Sequence, residues 1–337
     1  MFKKARQWAL ASAVASATFT GSVHAAQTEG LTELNFGIIS TESSQNLKTN
    51  WEPFLAAMSE RTGLKINPFF APDYAGIIQG MRFDKVDVAW YGNKSAMEAV
   101  DRAGGEVIFQ TTAADGAAGY WSLLIAHKDS PINSVADMLA NAKDLNFGNG
   151  DPNSTSGYLV PSYYVFSQNQ ADASKIFKRT LNASHEVNAL SVANKRVDVA
   201  TFNTEAMDRL TATNPDKAAD LKTIWTSPLI PADPIVWRKN LPDATKQKIS
   251  DFMTSYGDTK EELTVLNGLL WGKFKASSND QLLPIRQLEL FKQRSQIDTD
   301  STLSDAEKTK QRQAIDAALA VLDARMAELD KKVASTQ

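Results

Sequence analysis

Apolar strings alternate with amphipathic stretches along most of the chain, and this pattern predicts a repeated strand–helix order. A helix is expected at 46–62 because Trp51, Phe54, Leu55 and Met58 recur on one face. Short apolar strings predict strands at 34–40, 65–70, 86–90, 107–112, 177–181, 197–200, 221–225 and 235–237. Strands that alternate with helices at this spacing indicate α/β architecture, with parallel sheets covered by helices on both faces.

Two of these strings occur twice, and both repeats have the same separation along the chain. The string Glu-Leu-Asn-Phe-Gly at 33–37 recurs as Asp-Leu-Asn-Phe-Gly at 144–148. Val-Asp-Val-Ala at 86–89 recurs at 197–200, which is an identical offset. We therefore expect two domains of one topology, with ligands bound outside the carboxyl ends of their strands.

The order of strings also predicts where the chain passes between these domains. We expect a first lobe at 33–118 plus 236–296 and a second lobe at 119–235. The two crossings are expected near 115–122, which is rich in small residues, and near 226–236, which is rich in proline. Two crossings make a hinge, and lobes joined by a hinge can close around a ligand.

The N-terminus has the pattern of a secretory signal peptide, predicted at 1–26. Lys3, Lys4 and Arg6 precede an apolar stretch at 8–19 that is too short for a membrane anchor. Its removal takes the net charge from -3 to about -6, and the chain has no cysteine. These features predict a soluble protein of the periplasm, and an acidic chain without basic clusters argues against a nucleic-acid partner.

A C-terminal amphipathic helix is predicted at 304–334, beginning with a capping-box pattern at Ser304 and Glu307. Its apolar residues form a narrow seam at alternating spacings of four and three. The seam consists of Ile315, Leu319, Leu322, Met326, Leu329 and Val333. Two alternatives follow: the helix packs on its own body, or it pairs with a second copy to form a homodimer.

The stretch 149–157 carries the strongest indication of a binding site. It lies where a strand ends and a helix begins, and it contains three consecutive hydroxyl residues, Ser154, Thr155 and Ser156. The first backbone N–H groups of a helix have no intrahelical partner and lie at the positive end of its dipole. Such a terminus, supplemented by hydroxyl donors, predicts a site for an oxyanion.

Pro161 constrains where this helix begins. Proline lacks an N–H group and fits without cost only near the start of a helix. We therefore expect the helix to start near Ser156 or Gly157, which leaves Ser154 and Thr155 just ahead of its first turn.

Several long strings resemble the periplasmic phosphonate-binding proteins of bacterial ABC importers, over a region from about residue 34 to about residue 291. The strings that carry the resemblance lie at 35–42, 70–83, 149–157, 227–231 and 233–238. The resemblance implies a type II periplasmic binding protein, with two α/β lobes joined by two strands. It also implies a function: capture of alkylphosphonates for delivery to a membrane permease and its ATPase, without catalysis and without a cofactor.

The same resemblance implies eight ligand-binding residues, which are Tyr74, Tyr120, Ser154, Thr155, Ser156, His185, Glu205 and Asp233. The hydroxyl run and the amides behind it would hold the phosphonate oxygens, with Tyr120 and His185 as further donors and Tyr74 lining the cleft. Glu205 and Asp233 would receive the ammonium group of an aminoalkylphosphonate such as 2-aminoethylphosphonate. An unpaired carboxylate beside an anion site opposes binding, so two such acids favour a ligand with a cationic end.

The stretch 149–157 offers hydroxyls and amides but no arginine, so we expect hydrogen bonds rather than a salt bridge to neutralise the phosphonate. Arg82 and Lys94 offer positive charge that could reach the anion, but each is equally well interpreted as a solvated helix residue, and neither is chosen as a site residue.

Two other functions remain open at this point. The cargo could be phosphate, phosphite or a sulfonate. Alternatively, a secreted phosphoester hydrolase could use Ser154 or Thr155 as nucleophile and His185 as base. The sequence has neither a Gly-x-Ser-x-Gly elbow nor a cluster of histidines and acids for a metal pair, which argues against the hydrolase.

Overall fold

The structure is a computed structural model that describes residues 30–334, so the predicted signal peptide lies outside the described residues. The chain up to residue 110 consists of β1 (Glu33–Ile38), α1 (Ser44–Thr62), β2 (Lys65–Phe69), α2 (Tyr74–Arg82), β3 (Val88–Trp90), α3 (Asn93–Arg102) and β4 (Gly105–Gln110). The next part consists of β5 (Gly119–Tyr120), β6 (Ser122–His127), α4 (Val135–Asn141), β7 (Asn146–Asn149), α5 (Ala173–Ile176), β8 (Arg179–Asn182), α6 (His185–Ala193), β9 (Val199–Asn203), α7 (Thr204–Thr213), α8 (Pro215–Ala219) and β10 (Leu221–Thr226). The last part consists of β11 (Ile230–Pro231), β12 (Pro234–Arg238), α9 (Asp243–Ser255), α10 (Lys260–Gly268), β13 (Lys275–Ala276), α11 (Leu283–Thr299) and α12 (Asp305–Ala334).

Two larger sheets divide the strands between two lobes. The first lobe is built on six strands in the order β13-β4-β12-β3-β1-β2, and the second on five in the order β10-β6-β9-β7-β8. Each sheet has a parallel core of three strands: β1 pairs with β2 and β3, and β7 pairs with β8 and β9. The strands that adjoin these cores, β12 and β6, run antiparallel to them. The α/β fold class with parallel cores is confirmed.

The internal repeat corresponds to one structural unit present twice. In the first lobe the amide of Asn35 donates to the Asp87 carboxylate over 2.7 Å, and in the second the amide of Asn146 donates to Asp198 over the same distance. The strand registers agree as well, with Phe36 opposite Val88 and Phe147 opposite Val199. The constant offset between the two copies therefore preserves strand pairing and an aspartate that ties one strand to the next.

The predicted face of α1 supplies much of the core of the first lobe. Trp51, Phe54, Leu55 and Met58 are all buried. The Trp51 ring lies 5.1 Å from that of Trp271, edge to face. Aromatic pairs in this arrangement stabilise a core beyond their buried area.

The chain crosses between the sheets twice, and the two crossing segments pair with each other. β5 and β11 form a two-stranded antiparallel ribbon, with Tyr120 opposite Ile230 and Gly119 opposite Pro231. Both lobes are thus joined through two adjacent segments. The lobe boundaries at 33–118, 119–235 and 236–296 stay a prediction.

The C-terminal helix α12 packs back on α11 of the same chain. Ile315 and Leu319 of the predicted seam are buried in a cluster with Ile297. Ion pairs join the same two helices: Arg294 to Asp316 at 2.9 Å, and Arg312 to Asp298 at 3.1 Å. These contacts use the seam within the chain, and pairing with a second copy stays a prediction.

Among residues 30–334, none of the helices has the length and apolar character needed to cross a bilayer.

Gly119 provides a test of the ribbon between the lobes. A Cβ atom at this position would overlap the carbonyl oxygen of Ile230, so the two crossing segments would have to move apart. Overpacking of this kind costs about 1–3 kcal/mol, and we expect Gly119→Ala to lower the unfolding temperature by about 2–10 °C. The control is Gly268→Ala, because a Cβ there meets nothing within 4 Å. Equal unfolding temperatures for both variants and the unaltered protein would contradict this.

Candidate ligand-binding site

One cavity between the lobes is lined by all eight residues that the sequence predicts as ligand-binding. These are Tyr74, Tyr120, Ser154, Thr155, Ser156, His185, Glu205 and Asp233. The space inside this cavity, counted together with the solvent at its mouth, is about 260 Å³. Its walls also include residues that the sequence analysis did not single out, which are Ile39, Thr41, Trp90, Gly92, Asn203 and Arg209. The site thus lies at the carboxyl ends of core strands, as expected for open α/β sheets.

The hydroxyl run begins a helical segment, but this segment starts earlier and is wider than predicted. A π-helical turn spans Thr155–Leu159, and Ser154 is its N-cap, with its side chain accepting a hydrogen bond from the amide of Gly157 over 2.9 Å. The expected start near Ser156 or Gly157 is therefore wrong by one or two residues. The amide of Leu159 bonds to the carbonyl of Ser154, so the amides ahead of Leu159 have no partner within the turn.

Pro161 explains the wide winding. It follows the π-helical turn and has no N–H group, so the carbonyls of Ser156 and Gly157 lose the donor that an ordinary residue would supply. Both carbonyls find other donors: the Ser122 hydroxyl donates to Ser156 over 2.6 Å, and the Gly150 amide donates to Gly157 over 3.0 Å. These two hydrogen bonds connect the turn to β6 and to the loop that precedes the turn.

Each of the three hydroxyls accepts a hydrogen bond from a fixed nitrogen donor. Ser154 accepts from the Gly157 amide, Thr155 accepts from the Lys94 amide over 2.8 Å, and the Ser156 hydroxyl accepts from the side-chain amide of Asn203 over 3.0 Å. In these contacts the nitrogen supplies the proton, so each hydroxyl keeps its own proton to donate. The run is therefore a group of oriented donors.

His185 is buried beside the hydroxyl run as a neutral side chain. Asn203 accepts from the Ala206 amide through its side-chain oxygen, so its nitrogen faces Nε2 of His185 at 3.3 Å. We infer that Nε2 is the acceptor and that Nδ1 carries the proton. Nδ1 has no hydrogen-bond partner among the described residues. Burial, and then the nearby Arg209, lowers the pKa of His185 to about 4.

Two acids occupy the other part of the cavity wall. Asp233 is buried and accepts a hydrogen bond from the Tyr120 hydroxyl over 3.0 Å. Burial, followed by the neighbouring Glu205, raises the pKa of Asp233 well above its usual range. Burial also raises the pKa of Glu205, which lies in the first turn of α7. The carboxylates therefore lie in a place where their negative charge is poorly solvated.

Arg209 is the main site residue that the sequence analysis missed. Its guanidinium Nε lies 2.8 Å from a carboxylate oxygen of Glu42, which belongs to the other lobe. A signal was present in the sequence, because Arg209 follows Glu205 by four residues, which is the spacing of neighbours on a helix face. The spacing indicates a pair, although only the fold brings Glu42 to the same place.

Lys94, one of the two cations whose role the sequence leaves open, is not a solvated residue. It is buried at the start of α3, and burial lowers the pKa of its ammonium group. Two hydrogen bonds cross the cleft here. The backbone amide of Lys94 donates to the Thr155 hydroxyl, and the backbone amide of Tyr74 donates to the Asp151 carboxylate over 3.1 Å. Arg82 is exposed.

His185 is not arranged as a general base for the first two hydroxyls of the run. Within residues 30–334, no group of three or more histidine, cysteine, aspartate or glutamate side chains could hold a metal ion. His185 directs its Nε2 at Asn203, which in turn bonds to Ser156, so it is not paired with the hydroxyl of Ser154 or Thr155. The arrangement provides hydrogen-bond donors and acids for binding.

Two α/β lobes joined by two crossing segments, with a polar cavity between them, define a type II periplasmic binding protein. A family model described as the periplasmic substrate-binding protein of phosphonate ABC transporters matches residues 36–282. The chain belongs to this family.

Two relatives and one solved structure show how close the similarity is. The chain is 61% identical to the phosphonates-binding periplasmic protein of Escherichia coli over 306 residues, which cover 91% of this chain and 90% of that protein. It is similar to the crystal structure of a binding protein component of a phosphonate ABC transporter from Pseudomonas aeruginosa, with a TM-score of 0.88 and 66% identity over 89% of this chain and 99% of that one. A phosphate-import protein of Mycolicibacterium smegmatis is 31% identical over 60% of this chain and 65% of its own length.

The buried, neutral His185 predicts a specific pH dependence. Its pKa is about 4 in the folded protein, against about 6.5 in an unfolded chain. Between these values the unfolded state binds the extra proton, so the His185 contribution to the free energy of unfolding falls as the pH drops from 6.5 towards 4. We expect the stability difference between the unaltered protein and His185→Gln to shrink over this range in denaturant titrations. A difference independent of pH would contradict this.

Proposed function

We propose that this protein captures alkylphosphonates in the periplasm, preferably 2-aminoethylphosphonate, and delivers them to an ABC permease and its ATPase. The observation that carries the proposal is the arrangement of one cavity, in which oriented hydroxyl donors and two acids occupy different parts of the wall. A ligand with an oxyanion at one end and an ammonium at the other matches both parts.

The hydroxyl run is the proposed oxyanion site. Ser154, Thr155 and Ser156 each accept from a nitrogen donor and can direct their own protons to phosphonate oxygens. The first amides of the π-helical turn, apart from that of Gly157, which donates to Ser154, are further donors, as is the protonated Nδ1 of His185. Arg209, the nearby arginine, is engaged with Glu42. These contacts support neutralisation of the phosphonate by hydrogen bonds rather than by a salt bridge.

Glu205 and Asp233 are the proposed ammonium site. Leaving two acids near each other in a water-poor cavity is unfavourable, which is why burial raises the pKa of both. A ligand ammonium between them would stabilise their charged forms and satisfy their oxygens. Methylphosphonate offers no such group, so the acids favour an aminoalkylphosphonate.

Phosphate, phosphite or a sulfonate remains the alternative cargo. The similarity to a phosphate-import protein favours phosphate among these. None of these ions has a cationic end, and the acid pair therefore argues for the zwitterion. A hydrolase is disfavoured because members of this family are binding components of transporters.

Export and self-association complete the proposal. We expect cleavage of the signal peptide at 1–26 to release the protein into the periplasm. The contacts of Ile315 and Leu319 with Ile297 support the alternative in which α12 packs on its own body. A homodimer through the rest of the C-terminal helix stays the other alternative.

The oxyanion site is tested by the double variant Ser154→Ala, Thr155→Ala. Hydrogen bonds to charged groups contribute roughly 1.5–3 kcal/mol each, so we expect affinity for 2-aminoethylphosphonate to fall at least about a hundredfold in isothermal titration. Ser162→Ala, which removes a hydroxyl outside the cavity, should retain the original affinity. If the double variant binds as tightly as the unaltered protein, the hydroxyls do not hold the phosphonate.

The ammonium site is tested by Glu205→Gln, which removes one negative charge and nearly preserves the shape. We expect 2-aminoethylphosphonate to bind at least about tenfold more weakly, because a buried charge pair is lost. Methylphosphonate should bind at least as well as before, since it makes no ion pair with this residue and no longer meets its negative charge. Equal losses for both ligands in isothermal titration would refute the ammonium role of Glu205.

A further inference from the structure

An ion pair between Arg209 and Glu42 spans the cleft beside the cavity. Arg209 lies on α7 of the second lobe, and Glu42 follows β1 of the first lobe. The guanidinium Nε and the carboxylate oxygen are 2.8 Å apart, and the two side chains are only 17% and 14% exposed. Because its partners belong to different lobes, this pair can exist only when the lobes are together.

Arg209 has a second acid within reach on its own helix. Glu205 precedes it by four residues on α7, and glutamate four residues before a cation is the favourable orientation for a pair on a helix surface. Both side chains line the ligand cavity. The Arg209 charge also partly opposes the rise that burial causes in the pKa of Glu205.

We propose that Arg209 is a positioning residue that changes its acidic partner when the lobes close. With the lobes apart, it pairs with Glu205 along α7. With the lobes together, it pairs with Glu42 across the cleft and leaves Glu205 to the ammonium of the ligand. This inference rests on the proposed function of Glu205 and adds to it a link between closure and ligand selection.

The acids around Glu42 give the exchange a physical cause. The pKa of Glu42 is raised by burial and by Glu186 of the second lobe. The Glu186 carboxylate itself accepts hydrogen bonds from the Ser43 amide and the Asn46 side chain, both over 2.7 Å. Both donors belong to the first lobe, so these bonds also cross the cleft. Closure therefore brings two carboxylates together at one rim of the cleft. A cation is needed there, and Arg209 supplies it.

The exchange is tested by comparing two ligands in two variants, Glu42→Gln and Arg209→Met. In Glu42→Gln, Arg209 loses its partner across the cleft and stays with Glu205, where it competes with a ligand ammonium. We expect methylphosphonate to weaken about tenfold and 2-aminoethylphosphonate about a hundredfold in isothermal titration.

Arg209→Met should change the selectivity in the opposite direction. Both ligands lose the closure contact, but Glu205 no longer has a competing cation. We therefore expect methylphosphonate to weaken by at least about tenfold and 2-aminoethylphosphonate by clearly less. A contact that only held the lobes together would weaken both ligands equally in each variant. Opposite shifts in the ratio of the two dissociation constants are thus specific to the exchange.

Two control variants and one direct readout complete the experiment. Arg102→Met breaks the pair with Glu98 at the same helical spacing on α3, and Glu33→Gln breaks an exposed pair with Lys65. Both should leave the ratio of the two dissociation constants unchanged.

Trp51, Trp90 and Trp271 line a small cavity with Glu42 and Arg209, so tryptophan fluorescence reports closure. The ligand-induced fluorescence change should require more methylphosphonate in both test variants than in the unaltered protein.

The possible failures are distinguishable. If the unaltered protein binds neither ligand, the proposed function is wrong and this inference with it. If it binds both but the ratio stays constant in Glu42→Gln and Arg209→Met, the exchange alone is overturned. If Arg209→Met does not fold, as judged from its thermal unfolding, the ratio in Glu42→Gln decides the question.

Discussion

The constraint on which the site depends is that each hydroxyl of the Ser-Thr-Ser run already accepts a hydrogen bond from a fixed nitrogen. The donors come from three places: the π-helical turn itself, the start of α3 in the opposite lobe, and Asn203 at the end of β9. A hydroxyl held in this way has its proton left to donate, so the surface that results attracts anions without carrying a net charge. Because one donor belongs to the other lobe, the orientation of Thr155 also depends on closure.

The acids give the cavity its second property. Oriented donors alone would accept many oxyanions, and two buried carboxylates nearby would oppose most of them. A zwitterion relieves this conflict, since its two ends meet groups of opposite character. Arg209 matters for the same reason: it pairs with Glu42, and in the proposed exchange its choice of partner decides which acid remains for the ligand.

Much of the fold could be predicted from the sequence because the repeat is a physical one. The identical offset of both repeated strings preserves strand register and the aspartates that tie neighbouring strands, so a short string was enough to indicate two lobes of one topology. Most of the eight site residues lie at helix starts, whereas Tyr120 and Asp233 belong to the crossing segments, and the family resemblance indicated which residues to choose. They line one cavity, and their contacts with a ligand stay a prediction.

The remainder could not be predicted because it depends on contacts between distant segments. The start of the π-helical turn differs from the prediction because the prediction places Pro161 in a first α-helical turn. In the structure Pro161 comes later, and the carbonyls of Ser156 and Gly157, which it cannot serve as a donor, accept from Ser122 and Gly150 instead. Lysine is a residue type that usually lies at the surface, and only the packing of α3 buries Lys94. Arg209 meets Glu42 across a sequence separation that no local pattern reveals.

A crystal structure of the complex with 2-aminoethylphosphonate tests the central claim most directly. We expect phosphonate oxygens within about 3 Å of the hydroxyls of Ser154, Thr155 and Ser156, with the amine at a similar distance from Glu205 and Asp233. A ligand bound outside this cavity, or one whose amine lies against the hydroxyl run, would contradict it.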